Sequence, residues 1–177
     1  DYIEAEERVV RELKELNKPF IIVLNSNEPN SEYTLELSRK LEEKYATPVI
    51  PTDCSNLNIE DINNMFSKIL YEFPIEQMNI SLPRWVDGLN DEHWLKRSLY
   101  DEIKTAFKDI RILKQVDTGI NNIKSTDVIS RTMLDEINLG TGNVNISINL
   151  NDDLFYKILT EISGVEISNE GDLFSII

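Results

Sequence analysis

The stretch over residues 19–29, PFIIVLNSNEP, constrains the fold of this chain more than any other. Residues 20–24 are all apolar, and a strand that is apolar on both faces is typical of a parallel sheet covered by helices. We therefore predict a central strand here. Four polar residues, 25–28, follow it, and ligands in open α/β sheets bind beyond the carboxyl ends of the strands. These residues are the first candidates for a binding site.

The first 73 residues alternate between helical and strand patterns. Apolar residues recur at helical spacing over 3–16, 32–44 and 59–71, and short apolar runs at 20–24 and 48–50 predict strands. The order α-β-α-β-α is typical of a doubly wound α/β sheet with parallel strands. Two strands make an incomplete sheet, so we expect a piece of a longer protein with an exposed apolar face. The side chains predicted to face inward are Ile3, Val9, Val10, Leu13, Leu16, Leu35, Leu37, Leu41, Tyr45, Ile62, Met65, Phe66 and Ile69.

Pro74 marks a predicted boundary, which gives one domain over 1–73 and an α+β domain over 74–177. The second domain should contain a strand at 75–82, a helix from about 92 to 114, a hairpin with arms at 133–139 and 144–150 and a helix at 154–163. A short strand or an extended exit should follow at 164–167, and a further element should start at 172. A helix ended by Gly140 would suit residues 129–139 about as well. We favour the hairpin.

Charge and composition exclude several classes of function. The net charge of −14 argues against binding to nucleic acid, and a single cysteine, Cys54, excludes a disulfide framework and indicates a reducing, cytoplasmic compartment. No apolar run reaches the length that spans a bilayer. Arg97, Lys104, Lys108 and Arg111 form a basic stripe on the predicted 92–114 helix. An acidic partner or an anionic membrane would suit this stripe, but a solvated face is the simpler interpretation.

Most catalytic motifs are absent from the 177 residues. The sequence has no GxxxxGK[ST] phosphate loop, GxGxxG, HExxH, GxSxG or CxxC. The lone histidine, His93, has no visible catalytic partner, and Cys54 follows a strand without a paired histidine. We expect structural or surface roles for both, and we interpret Trp85 and Trp94 as packing anchors.

The strand ends resemble the base-reading segments of P-loop GTPases, in which one strand ends in Asn-Lys-x-Asp. An aspartate there accepts from the ring N–H and the amino group of guanine, and the lysine stem covers the base. In this chain Asn25 and, loosely, Glu28 stand in the Asn and Asp positions, and Ser26 replaces the lysine. The resemblance implies a nucleotide-base site formed by Asn25, Ser26 and Glu28 after the first strand and by Thr52 and Asp53 after the second. An ordinary polar loop is the alternative.

The amino-acid sequence of three longer segments resembles that of the stage IV sporulation protein A family. Members of this family are coat-morphogenesis ATPases of spore-forming bacteria. The segments are EAEERVVRELKELNKPFIIVLNS, LEEKYATPV and ISLPRWVDGLNDEHWLKRSLYDEI, of which LPRWV and EHWL are the most specific. The resemblance covers nearly the whole chain. It implies that residues 1–73 are the C-terminal part of a doubly wound, P-loop GTPase-like nucleotidase domain and that residues 74–177 begin a middle domain.

The resemblance also implies a function for the parent protein. Family members hydrolyse ATP, which implies Mg²⁺, and assemble with themselves into the basement layer of the spore coat. Their implied partners are a small amphipathic membrane-anchoring peptide and other coat proteins, and their place is the mother-cell cytoplasm at the outer forespore membrane. Since Ser26 replaces the lysine, adenine is favoured over guanine. Without a phosphate loop we expect these 177 residues alone to hold no cofactor and to be inactive. The alternative is a non-enzymatic interaction or regulatory domain.

Overall fold

The computed structural model describes residues 2–123 and 126–174, and the chain divides between Pro74 and Ile75 into two compact units. Both units mix helices with a small sheet. The elements of the first unit are α1 (Tyr2–Glu15), β1 (Ile22–Asn25), α2 (Glu32–Tyr45), β2 (Val49–Thr52) and α3 (Ile59–Tyr71). This is the predicted α-β-α-β-α order, which the structure confirms.

The two strands of the first unit are parallel, as predicted. Ile22 pairs with Val49 and Asn25 pairs with Thr52, so both carboxyl ends lie at one edge of the sheet. Local signals fix the helix that follows β2. The Asn58 side chain accepts the Asp61 N–H at 3.0 Å, and the Asp61 carboxylate accepts the Asn58 N–H at 3.1 Å. This capping box starts α3 where the sequence predicts it.

Helix α1 packs against the end of α2. Lys14 Nζ donates to the Tyr45 carbonyl at 2.5 Å, and the Tyr45 hydroxyl donates to the Glu6 carboxylate at 2.6 Å. Val10 is buried, but Ile3 and Leu16 are exposed. The α1 stripe is therefore only partly covered within the described residues.

The prediction of a strand buried on both faces is wrong for this chain. Val23 is 40% exposed, because within the described residues β1 has a single neighbouring strand, β2. The inward face predicted for α3 is wrong for the same reason, since Ile62 and Phe66 are exposed where there is no sheet to cover them. Helix α2 buries Thr34 rather than Leu35. These exposed side chains form the apolar face that an incomplete sheet was expected to leave.

The second unit is built on a three-stranded sheet. Its elements are β3 (Gln77–Ser81), α4 (Arg84–Asp87), α5 (Trp94–Phe107), a 3₁₀ turn (Leu113–Gln115), α6 (Val116–Asn122), β4 (Ile129–Asn138), β5 (Asn143–Leu150), α7 (Asp152–Ser163) and α8 (Glu170–Phe174). The strand order is β3-β5-β4, with β3 parallel and β4 antiparallel to β5. The predicted hairpin is confirmed, and the helical alternative for residues 129–139 is wrong.

Strand β5 separates a buried face from a polar one. Val144, Ile146 and Ile148 are buried, and the residues between them are asparagine or serine, as strict alternation predicts. Helices α5 and α7 cover the buried face with Leu99 and Ile158, both of which are almost fully buried. One face of the sheet therefore packs against helices, and the other face is polar and turned toward solvent.

The predicted 92–114 helix ends early, at Phe107. Asn122 of α6 donates its amide to the carbonyl of Ala106 at 3.2 Å, which satisfies a carbonyl that would otherwise be unpaired at the helix end. Leu113, near the end of the predicted helix, is also buried, but it belongs to the 3₁₀ turn and not to α5. The four cations of the basic stripe are exposed, as both interpretations of the stripe require.

The end of the chain differs from the prediction at two points. Ile162 was expected to face inward with Ile158, but it is 64% exposed, since it lies in the last turn of α7 before Gly164 ends the helix. Residues 164–167 form no strand, so the exit without a strand is confirmed and the strand is wrong. Ile167 is buried, and its backbone N–H and carbonyl both form hydrogen bonds with the Thr160 hydroxyl. The element expected from residue 172 is α8, and residues 175–177 lie outside the described residues.

Candidate functional site

The carboxyl ends of β1 and β2 are joined by two hydrogen bonds. The Ser26 N–H donates to the Thr52 carbonyl at 3.0 Å, which extends the parallel pairing by one residue. The Cys54 N–H donates to Asn25 Oδ1 at 3.0 Å. Asn25 therefore holds the loop after β2 against the end of β1, and four of the predicted site residues, Asn25, Ser26, Thr52 and Asp53, lie together.

A hydroxyl cluster fixes the loop that leads from β1 to α2. Ser26 Oγ lies 3.1 Å from Thr34 Oγ1 and accepts the Glu28 N–H at 3.1 Å. Ser31 caps α2 by accepting the Thr34 N–H, and its hydroxyl donates to Thr34 Oγ1 at 2.9 Å. Because Thr34 is buried, this network ties the loop to the first turn of the helix. Ser26 thus orders the loop.

The loop after β2 presents an ionised carboxylate. The Asn56 amide donates to Asp53 Oδ2 at 2.7 Å, and the Ser55 N–H donates to Oδ1 at 2.9 Å. These hydrogen bonds, the Asn56 amide above all, hold the pKa of the Asp53 carboxyl below its usual value. Asp53 therefore carries its charge at neutral pH. Thr52 is buried beneath it at 5% exposure.

Two polar groups at this edge are free to contact a ligand. Asn25 Nδ2 donates no hydrogen bond within the described residues, since only its Oδ1 is used there. The Glu28 side chain is exposed in the β1–α2 loop. An amide donor and carboxylate acceptors can read the polar edge of a nucleotide base. None of the five predicted site residues is a cation, so these residues offer no positive charge to a phosphate.

Sequence reasoning missed the residues that hold these predicted ones in place. The Cys54 backbone, Thr34 and Asn56 all take part, and only Asn56 had a recognisable signal. Asp53 followed by Ser55 and Asn56 is an Asx-turn pattern, which would have predicted the folded-back loop. Backbone donors such as the Cys54 N–H leave no trace in the residue type.

The remaining candidates have structural or surface positions, and the prediction that Trp94 is a packing anchor is wrong because its side chain is 49% exposed. His93 Nδ1 accepts the Leu95 N–H at 3.2 Å and so caps α5. The Glu161 carboxylate accepts the Trp94 indole N–H at 3.1 Å and lies 3.5 Å from His93 Nε2. Cys54 is exposed. Within the described residues no group of three or more acidic, histidine or cysteine side chains could hold a metal ion. None of the helices described there has the length and hydropathy of a membrane span.

Comparison with known proteins places both units in one family. The family model described as "Stage IV sporulation protein A, ATPase domain" matches residues 1–74, and the model of the middle domain of the same protein matches residues 75–177. No solved structure shows significant similarity to the chain.

Three curated relatives carry the name stage IV sporulation protein A. The chain is 40% identical over 176 residues to the protein of Clostridioides difficile (strain 630), and 39% identical to those of Bacillus anthracis and Bacillus subtilis (strain 168). Each alignment covers 99% of this chain but 36% of the relative, so the chain spans about a third of the length of these proteins. The resemblance drawn from the sequence is confirmed, and the chain belongs to the stage IV sporulation protein A family.

Proposed function

We propose that the first unit forms the base-binding side of an ATP-hydrolysing nucleotidase domain with a doubly wound, P-loop GTPase-like fold. The observation that carries the proposal is the edge where β1 and β2 end, at which Asn25, Ser26, Thr52 and Asp53 come together in a segment that matches an ATPase-domain model. Binding at the carboxyl ends of parallel strands is the general rule for open α/β sheets. The second unit begins the middle domain.

The base of this nucleotide is adenine. Asn25 Nδ2 is free to donate to a ring nitrogen, whereas Ser26 is engaged with Thr34 and offers no stem to cover a base. The Asp53 carboxylate, which is already bonded to Ser55 and Asn56, borders the site and keeps its loop in one conformation. Hydrogen bonds of this kind orient a base but supply little affinity.

The residues present do not fit the triphosphate or Mg²⁺. Phosphoryl transfer requires backbone N–H groups around the phosphates, a lysine and a metal ion, and these parts supply most of the catalysis. The 177 residues contain no phosphate-loop sequence. We therefore assign the binding of phosphate and Mg²⁺ to other parts of the full-length protein, and we derive no chemical step through the residues described.

We propose further that the full-length protein is a self-assembling scaffold of the basement layer of the spore coat. The relatives are sporulation proteins, and the exposed apolar side chains of α3, including Phe66, give the first unit a surface for association. The partners are other copies, a small amphipathic membrane-anchoring peptide and other coat proteins. The place is the mother-cell cytoplasm at the outer forespore membrane. Nucleic acid is disfavoured by the net charge of −14.

Calorimetric titration with ATP tests whether these residues bind only the base while other parts of the full-length protein bind the phosphates. The 177-residue chain should bind ATP no more tightly than about 1 mM, or roughly −4 kcal/mol, and should not hydrolyse it. In a full-length protein that contains this chain, Asn25→Ala should raise the KM for ATP several-fold, because it removes both the Nδ2 donor and the bond to the Cys54 N–H. Asn64→Ala is the matched control, since Asn64 is an exposed asparagine within α3.

Two results would contradict the proposal. Micromolar binding of ATP by the 177-residue chain would mean that the phosphates are held within these residues. Equal KM values for Asn25→Ala and Asn64→Ala would mean that the strand ends are not the base site. A full-length protein without ATPase activity would favour the alternative of a non-enzymatic interaction domain.

A further inference from the structure

A groove of 720 Å³ lies on the second unit, between the end of β5, the start of α7 and the short helix α4. Three aromatic rings line it. The Trp85 and Phe155 ring centroids are 5.6 Å apart with the planes tilted by 58°, and Phe155 and Tyr156 are 5.4 Å apart at 65°. Tilted rings do not cover each other's faces, and all three side chains are partly accessible to solvent. The groove therefore offers apolar surface to a ligand.

Carboxylates border this aromatic surface. Asp152 and Glu170 line the groove, and a second groove of 490 Å³, which also contacts Tyr156, adds Asp153 and Glu166. Lys157 is the only cation that lines either groove among the described residues. Within the part of the chain that the structure describes, none of the four carboxylates accepts a hydrogen bond or forms an ion pair. The grooves are thus negative, with four carboxylates against one lysine.

Two of the other polar side chains that line the larger groove are already hydrogen-bonded. Asn151 donates its amide to the Thr126 carbonyl at 3.2 Å, and the Ser130 hydroxyl lies 3.1 Å from the Asn149 carbonyl, to which it donates. A ligand therefore has two features to recognise, the aromatic faces and the carboxylates. An anion such as a phosphate or a nucleotide is repelled by the carboxylates. A neutral apolar ligand would leave them without a partner.

We propose that the groove binds a short peptide segment of a protein partner in which basic side chains alternate with apolar ones. The apolar side chains pack against Trp85, Phe155 and Tyr156, and the lysine or arginine groups pair with Asp152 and Glu170. A cation beside Tyr156 or Trp85 also gains from the ring electrons. This peptide site goes beyond the proposed nucleotide function and depends on none of its residues.

Fluorescence anisotropy with three labelled hexapeptides tests the proposal on the 177-residue chain. The peptides alternate leucine with arginine, leucine with glutamate, and serine with arginine. The leucine–arginine peptide should bind at least tenfold more tightly than either of the others, because it alone satisfies both features of the groove. Its affinity should fall as salt rises, since the ion pairs with Asp152 and Glu170 are exposed. Binding of the serine–arginine peptide with equal affinity would overturn the proposal, because attraction to the net charge of −14 would then explain the data.

Variants locate the binding on the molecule. Trp85→Ala should weaken the leucine–arginine peptide by about tenfold or more, as buried aromatic contacts do at interfaces. Glu170→Gln should weaken it by about threefold, the scale of an exposed ion pair. Glu60→Gln is the matched control and should leave it unchanged, because Glu60 is also a glutamate in the first turn of a helix but lies outside the groove.

Glu170→Gln keeps the test decisive even if Trp85→Ala fails to fold. Equal effects of Glu170→Gln and Glu60→Gln would overturn the assignment to this groove. Self-association of the unliganded chain that Trp85→Ala abolishes would overturn it as well, since a second copy would then be the occupant. The absence of any binding by the leucine–arginine peptide would also contradict the proposal.

Discussion

Two isoleucines one helical turn apart give the sharpest test of how the second unit is packed. The spacing of apolar residues predicts that both Ile158 and Ile162 face inward, but the structure leaves 2% of Ile158 and 64% of Ile162 exposed. Ile158→Ala removes three buried carbons at about 0.8 kcal/mol each, and the cavity raises the loss to about 3–4 kcal/mol. Ile162→Ala should change the free energy of unfolding by less than about 0.5 kcal/mol. Alanine also has the better helix propensity.

Urea unfolding followed by tryptophan fluorescence measures this difference without interference from the first unit. Both tryptophans, Trp85 and Trp94, belong to the second unit, so the signal reports its unfolding alone. With a slope of about 1–1.5 kcal/mol per molar urea for about 100 residues, Ile158→Ala should lower the midpoint by roughly 2–4 M. The Ile162→Ala midpoint should stay within a few tenths molar of the parent. Similar losses for the two variants would refute the orientation of α7 and restore the face that the sequence predicted.

Two further substitutions probe the ends of helices. Asn58→Ala breaks the capping box of α3 and should destabilise that helix by about 1 kcal/mol, measured as faster hydrogen exchange of its first-turn amides, while Asn64→Ala within the same helix should not. Gly164→Ala places a side chain at φ +71° in open space, so it should cost about 1 kcal/mol of backbone strain without a steric clash. A fluorescence-detected urea midpoint equal to that of the parent would show that the left-handed cap at Gly164 is dispensable.

Elements with complete local signals were predicted well from the sequence. The Asn58–Asp61 pair gave both ends of a capping box, and α3 begins at the next residue, Ile59, as predicted. The strict alternation over residues 144–150 predicted β5 and its wet face. In each case the residues that determine the structure lie within a few positions of one another, so tertiary contacts are not needed to place them.

Features that depend on distant contacts were not predicted. The break after Phe107 is stabilised by Asn122, which lies sixteen residues after the carbonyl of Ala106 that it binds. The apolar spacing of the predicted 92–114 helix extends to Leu113 because that residue is also buried, although it lies in the 3₁₀ turn and not in α5. Spacing alone cannot distinguish one long helix from two short elements whose apolar residues are buried in separate clusters.

In the candidate site, the positions of the residues were predicted from the sequence, but their hydrogen bonds were not. Parallel pairing predicted that the residues after β1 and β2 would meet, and the register of Asn25 with Thr52 confirms it. The use of each side chain could not be predicted, because the partner of Asn25 Oδ1 is a backbone N–H, that of Cys54, which any residue except proline would provide. Because Oδ1 is occupied, the Nδ2 group of Asn25 is the part of this side chain that can contact a ligand, and the sequence does not show which of the two atoms is occupied.

The two units differ in how many of their apolar side chains are buried within the unit. Among the described residues, only Val10, Tyr45, Val49 and Ile50 are buried hydrophobic side chains of the first unit, whereas the second unit buries sixteen. Yet α1 and α3 have clear apolar stripes, and a helix acquires such a stripe because it is packed against something where it functions. The exposure of Phe66 at 62% on an otherwise well-capped helix therefore indicates a covering surface that residues 2–74 do not supply. Further strands of a larger sheet and a second copy of the chain both have the apolar character to supply it, and both agree with the proposed assembly.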